Sequence, residues 1–530
     1  MKQFYLIILT LLSSFIPQAQ KEFHVFPVND ARNSGSKLGN GSLQNPWDLQ
    51  TALSQPSKIV NGDDIIWLHK GIYNGRFVST LKSTKSNKYI TVSAYKKGKV
   101  VLNGNIKSNK KFVLEVTGRN VIYKDFEITF LGDFSRIQID PYYHKVGGIS
   151  HSSGVDCKFI NLVIHNNPGS GFGSWKRTGG TVIDGCVIYN NGYLSTKRGS
   201  GVGIYIQNES NKTRVVTNNI IFNNYYKGIE VWSANEKATS EYVKNITLKN
   251  NVIFNNGTPS GVFRDNLIIA TNDKNGINIA KNIIVKNNIF YHNTKLSQTI
   301  ENNNASSLTL GFNSRAPIEN IKIYNNIIIG RKDAIRILDV KSLSFKNNIV
   351  YSGYVRFRES VIKHINGKNW KFSNNTYYTR NNRPIRVQGI RDYTIAQWHS
   401  KYGLETQTIY KNFKEFNLKS VLNITKNEYK DNSYRVVLFN KKGKDVEVDF
   451  SKFDIPKGST YNIIDIENHN KVIKSGNVNK SKKIVFPMAL ISFEKPTNNT
   501  KAQKSLNNFG VYIIEFKTKK KSFFKRWFKW

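Results

Sequence analysis

The sequence predicts an all-β protein built mainly as a solenoid of parallel strands, and three observations support this prediction. A short phrase, Asn-Asn followed by an apolar triplet, recurs down the middle of the chain. Its copies are separated by 22 to 38 residues, as expected for a coil whose core is constant and whose loops vary. Within each copy, apolar and β-branched residues alternate at the period of a strand. The clearest copies begin at Asn218, Asn250, Asn287, Asn325, Asn347 and Asn374.

Asparagine explains how such a coil turns its corners. It is the non-glycine residue that best tolerates a left-handed backbone, so it suits a one-residue corner between two strands. Stacked on the next coil, its side-chain amide can also hydrogen-bond along the stack. An antiparallel sandwich with Asn-rich turns would show Asn-Gly hairpins and a spacing of about 8–12 residues. The pattern therefore favours a right-handed parallel β-helix.

The chain begins with a segment typical of a secretory signal peptide. Residues 1–20 place Lys2 before an apolar run from Phe4 to Leu12 and end near the small residue Ala19. This run is too short to be a stable membrane span. We therefore expect a secreted, periplasmic or cell-surface protein.

Residues 21–395 are expected to form the β-helix with an N-terminal cap, and its coils are predicted from about residue 65 to residue 388. A short amphipathic helix from Trp47 to Leu53 should plug the open end, because an uncapped coil exposes its core and an unpaired strand edge. Trp47 and Asp48 are therefore interpreted as cap residues. A second helix, from Tyr393 to Glu405, is predicted where the coils end.

The periodicity changes towards the C-terminus. Residues 396–414 are predicted to be a linker, and residues 415–516 read as a small antiparallel β-sandwich. Its predicted strands start near Tyr434, Asp445, Thr460, Lys482 and Gly510.

The segments GSLQNPWDLQTALSQ and NGDDIIWLHKGIYNGRF, which begin at Gly41 and Asn61, resemble the start of secreted β-helix proteins that act on carbohydrates. With the coils, the exit helix and the sandwich, most of the chain resembles pectin-lyase-like β-helix proteins of the carbohydrate-active type. The resemblance implies the architecture strongly and the chemistry weakly.

The chain is strongly basic. It has 79 Lys and Arg against 36 Asp and Glu, a net charge of +43. A field of this sign attracts anionic polymers, although AT-rich coding would also enrich Lys, Asn and Ile. Secretion and the lack of a nucleic-acid-binding module argue against nucleic acid. An anionic polysaccharide is therefore the expected partner, and the oligomeric state is not predicted.

Residues 517–530, KTKKKSFFKRWFKW, form a basic and aromatic tail. Such a tail can contact an anionic membrane or a cell surface, and the alternative is a disordered solubilising tail. The only two cysteines, Cys157 and Cys186, fall on different parts of the coil, so we expect two buried free thiols.

Strands that precede the Asn-Asn phrases can be overlaid to find an outward face. The second and fourth positions are apolar apart from Ser174 and should point inward, so the third and fifth should point outward. The predicted face carries aromatic, polar and charged side chains, which suit stacking on sugar rings and selection of acidic ones. The residues expected to bind substrate are Trp175, Gln207, Trp232, Arg198, Lys227 and Arg336.

Two reactions suit this face. Hydrolysis of a glycoside usually needs two carboxyl groups, and the sequence offers Glu230 but no second acid from an adjacent coil. β-Elimination from a uronate needs a cation and a base, and the chain is rich in candidates. The predicted catalytic residues are Tyr205, Glu230, His151 and Lys176, with His144 and His165 as further candidates.

The expected function is therefore a lyase acting on a uronate or sulfated polysaccharide. The alternatives are a non-catalytic glycan-binding or surface-attached protein, a glycoside hydrolase and a C5-epimerase. In similar proteins the segment matching RGSGVGIYIQN often has histidines between its glycines, where this chain has Ser200 and Val202. We predict no cofactor: no Ca²⁺ or Zn²⁺ motif is present, and a Ca²⁺ bridge to substrate stays open without support.

Overall fold

The computed structural model describes residues 20–294, 305–379, 382–416, 418–456, 458–469, 471–489, 492–499, 502 and 504–517. The predicted signal peptide and basic tail lie outside the described residues, except for their boundary residues Gln20 and Lys517.

The main body is a right-handed parallel β-helix, as predicted. Its coils visit three sheets in turn, here called sheets I, II and III, and each sheet has 12 strands. Sheet I contains Glu22–Val25, Ile65–Leu68, Ile90–Ala94, Val121–Lys124, Lys158–Ile160, Val182–Asp184, Arg214–Thr217, Lys244–Lys249, Lys281–Lys286, Glu319–Tyr324, Leu343–Lys346 and Trp370–Ser373. Sheet II contains Gly71–Asn74, Val100–Asn103, Glu127–Thr129, Val163–His165, Val187–Tyr189, Ile220–Phe222, Val252–Phe254, Ile289–Tyr291, Ile327–Ile329, Ile349–Tyr351, Thr376–Thr379 and Ile409–Asn412.

Sheet III carries the predicted face. It contains Phe77–Ser79, Phe112–Val116, Gly147–His151, Phe172–Ser174, Ile204–Ile206, Ile229–Ser233, Leu267–Thr271, Leu308–Leu310, Asp333–Ile337, Tyr354–Phe357, Ile385–Val387 and Arg391–Tyr393. Its strands are parallel except for the last, which pairs antiparallel with Ile385–Val387. The residues that alternate inward, such as Ile204 and Ile206, are fully buried in the core of the coil.

The two asparagines of each phrase perform different tasks. The first forms the corner between two strands in a left-handed backbone conformation, as Asn218 and Asn250 do with φ of 57°. The second is buried and belongs to a ladder, in which the Asn251 side chain donates to Asn288 Oδ1 at 3.0 Å. This ladder runs through Asn219, Asn251, Asn288, Asn326, Asn348 and Asn375. Both roles predicted for asparagine are therefore confirmed.

The N-terminal end of the stack is closed by a short helix, Leu49–Leu53. Asp48 caps this helix by accepting a hydrogen bond from the backbone of Thr51 at 2.8 Å. Trp47 is buried and forms bridges with Val25 and Ser36. The first strand is Glu22–Val25, so the stack starts before residue 65, where the coils were predicted to begin.

The C-terminal end is closed by the second helix, Ile395–Tyr402, whose Trp398 is fully buried in the core of the β-helix. After this helix the chain adds one more strand, Ile409–Asn412, to sheet II. The segment predicted as a linker therefore contains most of this helix and the last strand of the stack. Glu405 ends the asparagine ladder by accepting a hydrogen bond from Asn375 at 3.0 Å.

The remaining strands are antiparallel and form two sheets. The five-stranded sheet contains, in spatial order, Val421–Lys426, Ser433–Phe439, Phe509–Lys517, Thr460–Asp465 and Val472–Asn477, and the two-stranded sheet contains Val446–Asp449 and Lys483–Phe486. Residues of both sheets share one apolar core, including Val436, Val448 and Phe486. The other face of the larger sheet packs on sheet II, where the Tyr291 and Phe509 rings stack at 4.0 Å.

Cys157 and Cys186 are buried free thiols, as expected. Burial raises the pKa of each thiol to about 12, which makes both unreactive at neutral pH. No helix among the described residues is long and apolar enough to cross a membrane.

Candidate functional site

The candidate site lies on the outer face of sheet III. Loops that join sheet II to sheet III flank it on one side, and loops that lead on to sheet I flank it on the other. Strand register places equivalent outward residues of successive coils above one another. One outward column contains Gly173, Tyr205, Glu230, Ile268, Thr309, Arg336, Arg356 and Arg386.

The N-terminal part of this face is aromatic. Trp175 is 37% exposed, and its ring lies 5.3 Å from the Tyr205 ring. Gln207 donates to the Tyr205 hydroxyl at 3.2 Å. Trp232 packs edge-on against Phe312 at 5.1 Å. The alternation of the strand therefore brings these four predicted residues to one surface.

A buried ion pair lies at the centre of the face. Lys227 Nζ contacts Glu230 Oε1 at 2.9 Å, and neither side chain is more than 11% exposed. The ammonium also lies 4.4 Å from the Tyr226 ring and 5.7 Å from the Trp232 ring. Burial opposes the charge of Lys227, but Glu230, Tyr226 and Asp265 together outweigh this effect, and the pKa of Lys227 is raised.

Tyr205 is the neighbour of Glu230 on the preceding coil. Burial and the negative charge of Glu230 together raise the pKa of Tyr205. The phenol is therefore protonated at neutral pH and is suited to donate a proton.

A second acid, Asp265, lies on the coil after Glu230. It stands two residues before the strand Leu267–Thr271, at the position that Lys227 holds on the preceding coil. The overlaid five-residue segment began at Asn266, so the overlay missed Asp265. Asp265 accepts two hydrogen bonds from the Arg336 guanidinium, at 2.8 and 3.0 Å. Extending the overlay by one residue would have found this acid.

The C-terminal part of the face is a cleft of about 1000 Å³. We call it the cationic cleft, and its basic lining residues are Lys227, Arg264, Arg336, Arg356 and Arg358. Only Arg336 and Lys227 of this set were among the predicted binding residues. Arg356 and Arg358 were missed because the overlay stopped at the coil of Arg336, and Arg264 was missed because it lies on a loop before the overlaid segment.

His151 is not part of the surface. It is fully buried inside the coil, where its Nδ1 lies 3.3 Å from the Thr181 hydroxyl. Burial and the nearby Arg214 lower the pKa of His151 to about 3. The prediction that His151 is a base for substrate is therefore wrong, because the ring occupies an inward position of its strand.

The two predicted loop cations lie on opposite walls. Arg198 is exposed on the hairpin formed by Tyr193–Leu194 and Gly199–Ser200, and its guanidinium lies 3.8 Å from the Tyr226 ring. The Lys176 ammonium lies over the Tyr242 ring at 4.6 Å.

The two further candidate histidines lie elsewhere. His144 is exposed on a loop, and His165 lies on sheet II, where its Nε2 contacts Glu127 Oε1 at 2.9 Å.

Within the part of the chain that the structure describes, no three His, Cys, Asp or Glu side chains are grouped to hold a metal ion. The expectation that no cofactor is needed stays a prediction.

The fold and the site together define a right-handed parallel β-helix protein with an aromatic and cationic groove on one sheet. No protein-family model and no curated protein matches the chain. Among solved structures it is similar to pectate lyase Pel9A, with 16% identity over 70% of this chain and 78% of that chain and a TM-score of 0.38.

The chain is also similar to the mannuronan C-5 epimerase AlgE4 A-module of Azotobacter vinelandii, with 11% identity over 66% of this chain and 88% of that chain (TM-score 0.37). A third similar structure is the surface adhesin PfbA of Streptococcus pneumoniae, with 12% identity over 66% and 90% and a TM-score of 0.46. Similarities this distant carry no argument about the chemistry of the groove.

Proposed function

We propose that this chain is an exported carbohydrate-active protein that cleaves an anionic polysaccharide by β-elimination. The observation that carries the proposal is the meeting of Tyr205, Lys227 and Glu230 on the outer face of sheet III. Aromatic rings lie on one side of this trio, and the cationic cleft, which Lys227 also lines, extends from the other.

In this reaction Lys227 pairs with the carboxylate of a uronate. An ammonium has three donors, so Lys227 can hold the substrate and Glu230 together. Neutralising the carboxylate makes the proton on the adjacent carbon, C5, more acidic.

Glu230 then accepts the C5 proton, and the electron pair of that C–H bond forms a C4=C5 double bond. The C4–O bond to the next sugar breaks at the same time. Tyr205, which is protonated at neutral pH, donates its proton to the departing oxygen. The products are one chain with an unsaturated uronate and one chain with a new free hydroxyl, so atoms and electrons balance.

The test is a screen of the chain from residue 21 against alginate, polygalacturonate and chondroitin sulfate. It follows the absorbance of unsaturated uronates and the appearance of reducing ends. A rise in both supports the lyase and names its substrate. Reducing ends without absorbance would instead indicate a hydrolase that uses Glu230 and Asp265, and altered uronate stereochemistry without cleavage would indicate an epimerase.

A second candidate function is glycan binding without catalysis. The observation that favours it is the pairing of the acids, since Glu230 is neutralised by Lys227 and Asp265 by Arg336. Retention on an acidic glycan column with no turnover would support the binder and overturn the lyase.

Surface attachment through residues 517–530 is proposed as a separate property. Its test is the partitioning of the chain onto anionic lipid vesicles, and unchanged partitioning after deletion of the tail would contradict it.

A further inference from the structure

We propose that the far end of the cationic cleft, formed by Arg336, Arg356 and Arg358, is a remote anion-binding subsite, which holds acidic groups of the same polymer beyond the sugar at Glu230. The inference rests on the proposed function, because it assumes that one glycan lies along sheet III. It adds a requirement for long chains and assigns binding roles to Arg356 and Arg358.

Distance along the stack separates the far end of the cleft from Glu230. The stacked rings of Tyr189, Phe222 and Phe254 show that successive coils are 4.9 Å apart. Arg336 lies three coils beyond Glu230, and Arg356 lies four coils beyond it. At this strand spacing, the backbones of Arg336 and Arg356 are about 15 and 20 Å from the backbone of Glu230. The Arg336 side chain reaches back to Asp265, on the coil after Glu230. A single sugar held at Glu230 cannot reach Arg356.

Three ion pairs at the cleft share one orientation. Arg336 pairs with Asp265, Arg356 with Asp333 and Arg358 with Asp339, at distances of 2.5 to 2.9 Å. In each pair the carboxylate is the buried partner, at most 5% exposed, and the guanidinium is 17 to 39% exposed. Each pair therefore turns its positive end towards the cleft.

Two of the cleft arginines have unused hydrogen-bond donors. Asp265 and Thr309 engage Nε and Nη2 of Arg336, and Nη1 has no partner among the residues that the structure describes. Within the same described residues, Arg356 donates through Nη1 to Asp333, its Nη2 has no partner, and its Nε is buried. The carboxylates fix the guanidinium planes in advance, so little side-chain entropy is lost when an anion binds.

One acid works against this subsite. Glu359 lines the cleft beside Arg358 and is exposed. Its charge should repel a polyanion, so its removal offers a gain of binding that a misfolded variant cannot produce.

The experiment measures binding of two probes to the whole chain at about 0.15 M salt, where exposed charges are screened beyond about 8 Å. Dextran sulfate fragments carry sulfate and no uronate, so they test the cleft whether or not the chain is a lyase. Size-graded oligogalacturonates test the need for length. The variants are Arg358→Ala, the double variant Arg356→Met with Asp333→Asn, which removes both charges of that ion pair together, and Glu359→Gln.

We expect each loss variant to weaken dextran sulfate binding about fivefold to tenfold, and Glu359→Gln to strengthen it about twofold to threefold. Lys322→Ala is the matched control, because it removes one exposed positive charge from sheet I and should change binding less than twofold. If the control matches the loss variants, the binding reflects net charge alone and the subsite is overturned. Unfolding temperatures identify any variant that fails to fold.

The oligogalacturonates separate the two proposals. Oligomers long enough to reach Arg356 should bind the wild-type chain more tightly than short ones, and the double variant should remove this difference. If short and long oligomers are cleaved equally well, the remote subsite is overturned and the lyase stands. If dextran sulfate depends on the cleft but no uronic polymer is cleaved, the subsite stands and the lyase falls.

Discussion

Single residues on sheet III take their roles from the alternation of a strand. Tyr205 and Glu230 point outward because the residues on either side of them, such as Ile204 and Ile229, fill the coil. The same rule places His151 inside, one strand position away from the surface. Whether a histidine in a glycine-rich segment faces the core or the surface therefore depends on the register of its strand.

The variants Glu230→Gln and Tyr205→Phe test the reacting pair. Each removes a proton-transferring group and preserves the shape of the side chain, so turnover should fall at least about 100-fold. Binding of the substrate should change less than about threefold, because Lys227 and the aromatic rings are retained. Steady-state kinetics and calorimetry measure the two quantities, and turnover that survives both changes would contradict the mechanism.

His151→Ala should act on stability and not on chemistry. Emptying this buried site should lower the free energy of unfolding by about 2 kcal/mol. Since the pKa of His151 is lowered to about 3, the ring stays neutral and contributes no step to a pH–rate profile between pH 5 and 8. Denaturant unfolding and a pH–rate profile of the variant check this. Loss or displacement of a titration step in the pH–rate profile would show that His151 acts as a base after all.

The corners of each coil depend on paired asparagines. Asn287 has a φ of 55°, and Asn288 is buried within the ladder. Asn288 accepts hydrogen bonds from both the backbone and the side chain of Asn251, at 2.9 and 3.0 Å. One asparagine therefore serves the turn, and the other serves the hydrogen bonds of its neighbours.

Substitutions at these two positions should separate the two roles. Asn287→Gly should be nearly neutral and Asn287→Ala should cost about 1 kcal/mol, because alanine resists a left-handed backbone. Asn288→Gly and Asn288→Ala should both cost about 3 kcal/mol, since each leaves buried groups of Asn251 without partners. Chemical denaturation of the four variants gives the values, and equal losses at the two positions would refute this division.

The whole molecule depends on the packing of the C-terminal sheets against the β-helix. Sheet II presents apolar side chains on its outer face, including Phe222, Phe254 and Tyr291, and the larger C-terminal sheet covers them with Phe439 and Phe509. Arg435 adds hydrogen bonds of 3.0 and 2.9 Å to the carbonyls of the corner residues Asn218 and Asn250. The C-terminal sheets therefore close an apolar surface.

A chain truncated after residue 414 should expose this surface. We expect it to bind the apolar dye ANS and to associate, because exposed apolar patches of this kind drive aggregation. Dye fluorescence and size-exclusion chromatography compare it with the full chain. A monodisperse truncated chain that binds no dye would show that sheet II is stable without its cover.

The periodic sequence by itself determined the architecture. The Asn-Asn phrases and the strand alternation predicted the coils, their corners and the inward or outward direction of Tyr205 and Glu230, because all of these follow from contacts between neighbouring coils at fixed spacing. The tertiary structure alone decided how groups outside the repeat come together. It placed His151 in the core, brought Asp265 under Arg336 and assembled the arginines of the cationic cleft, because loop lengths and exact register set these contacts and no local pattern encodes them.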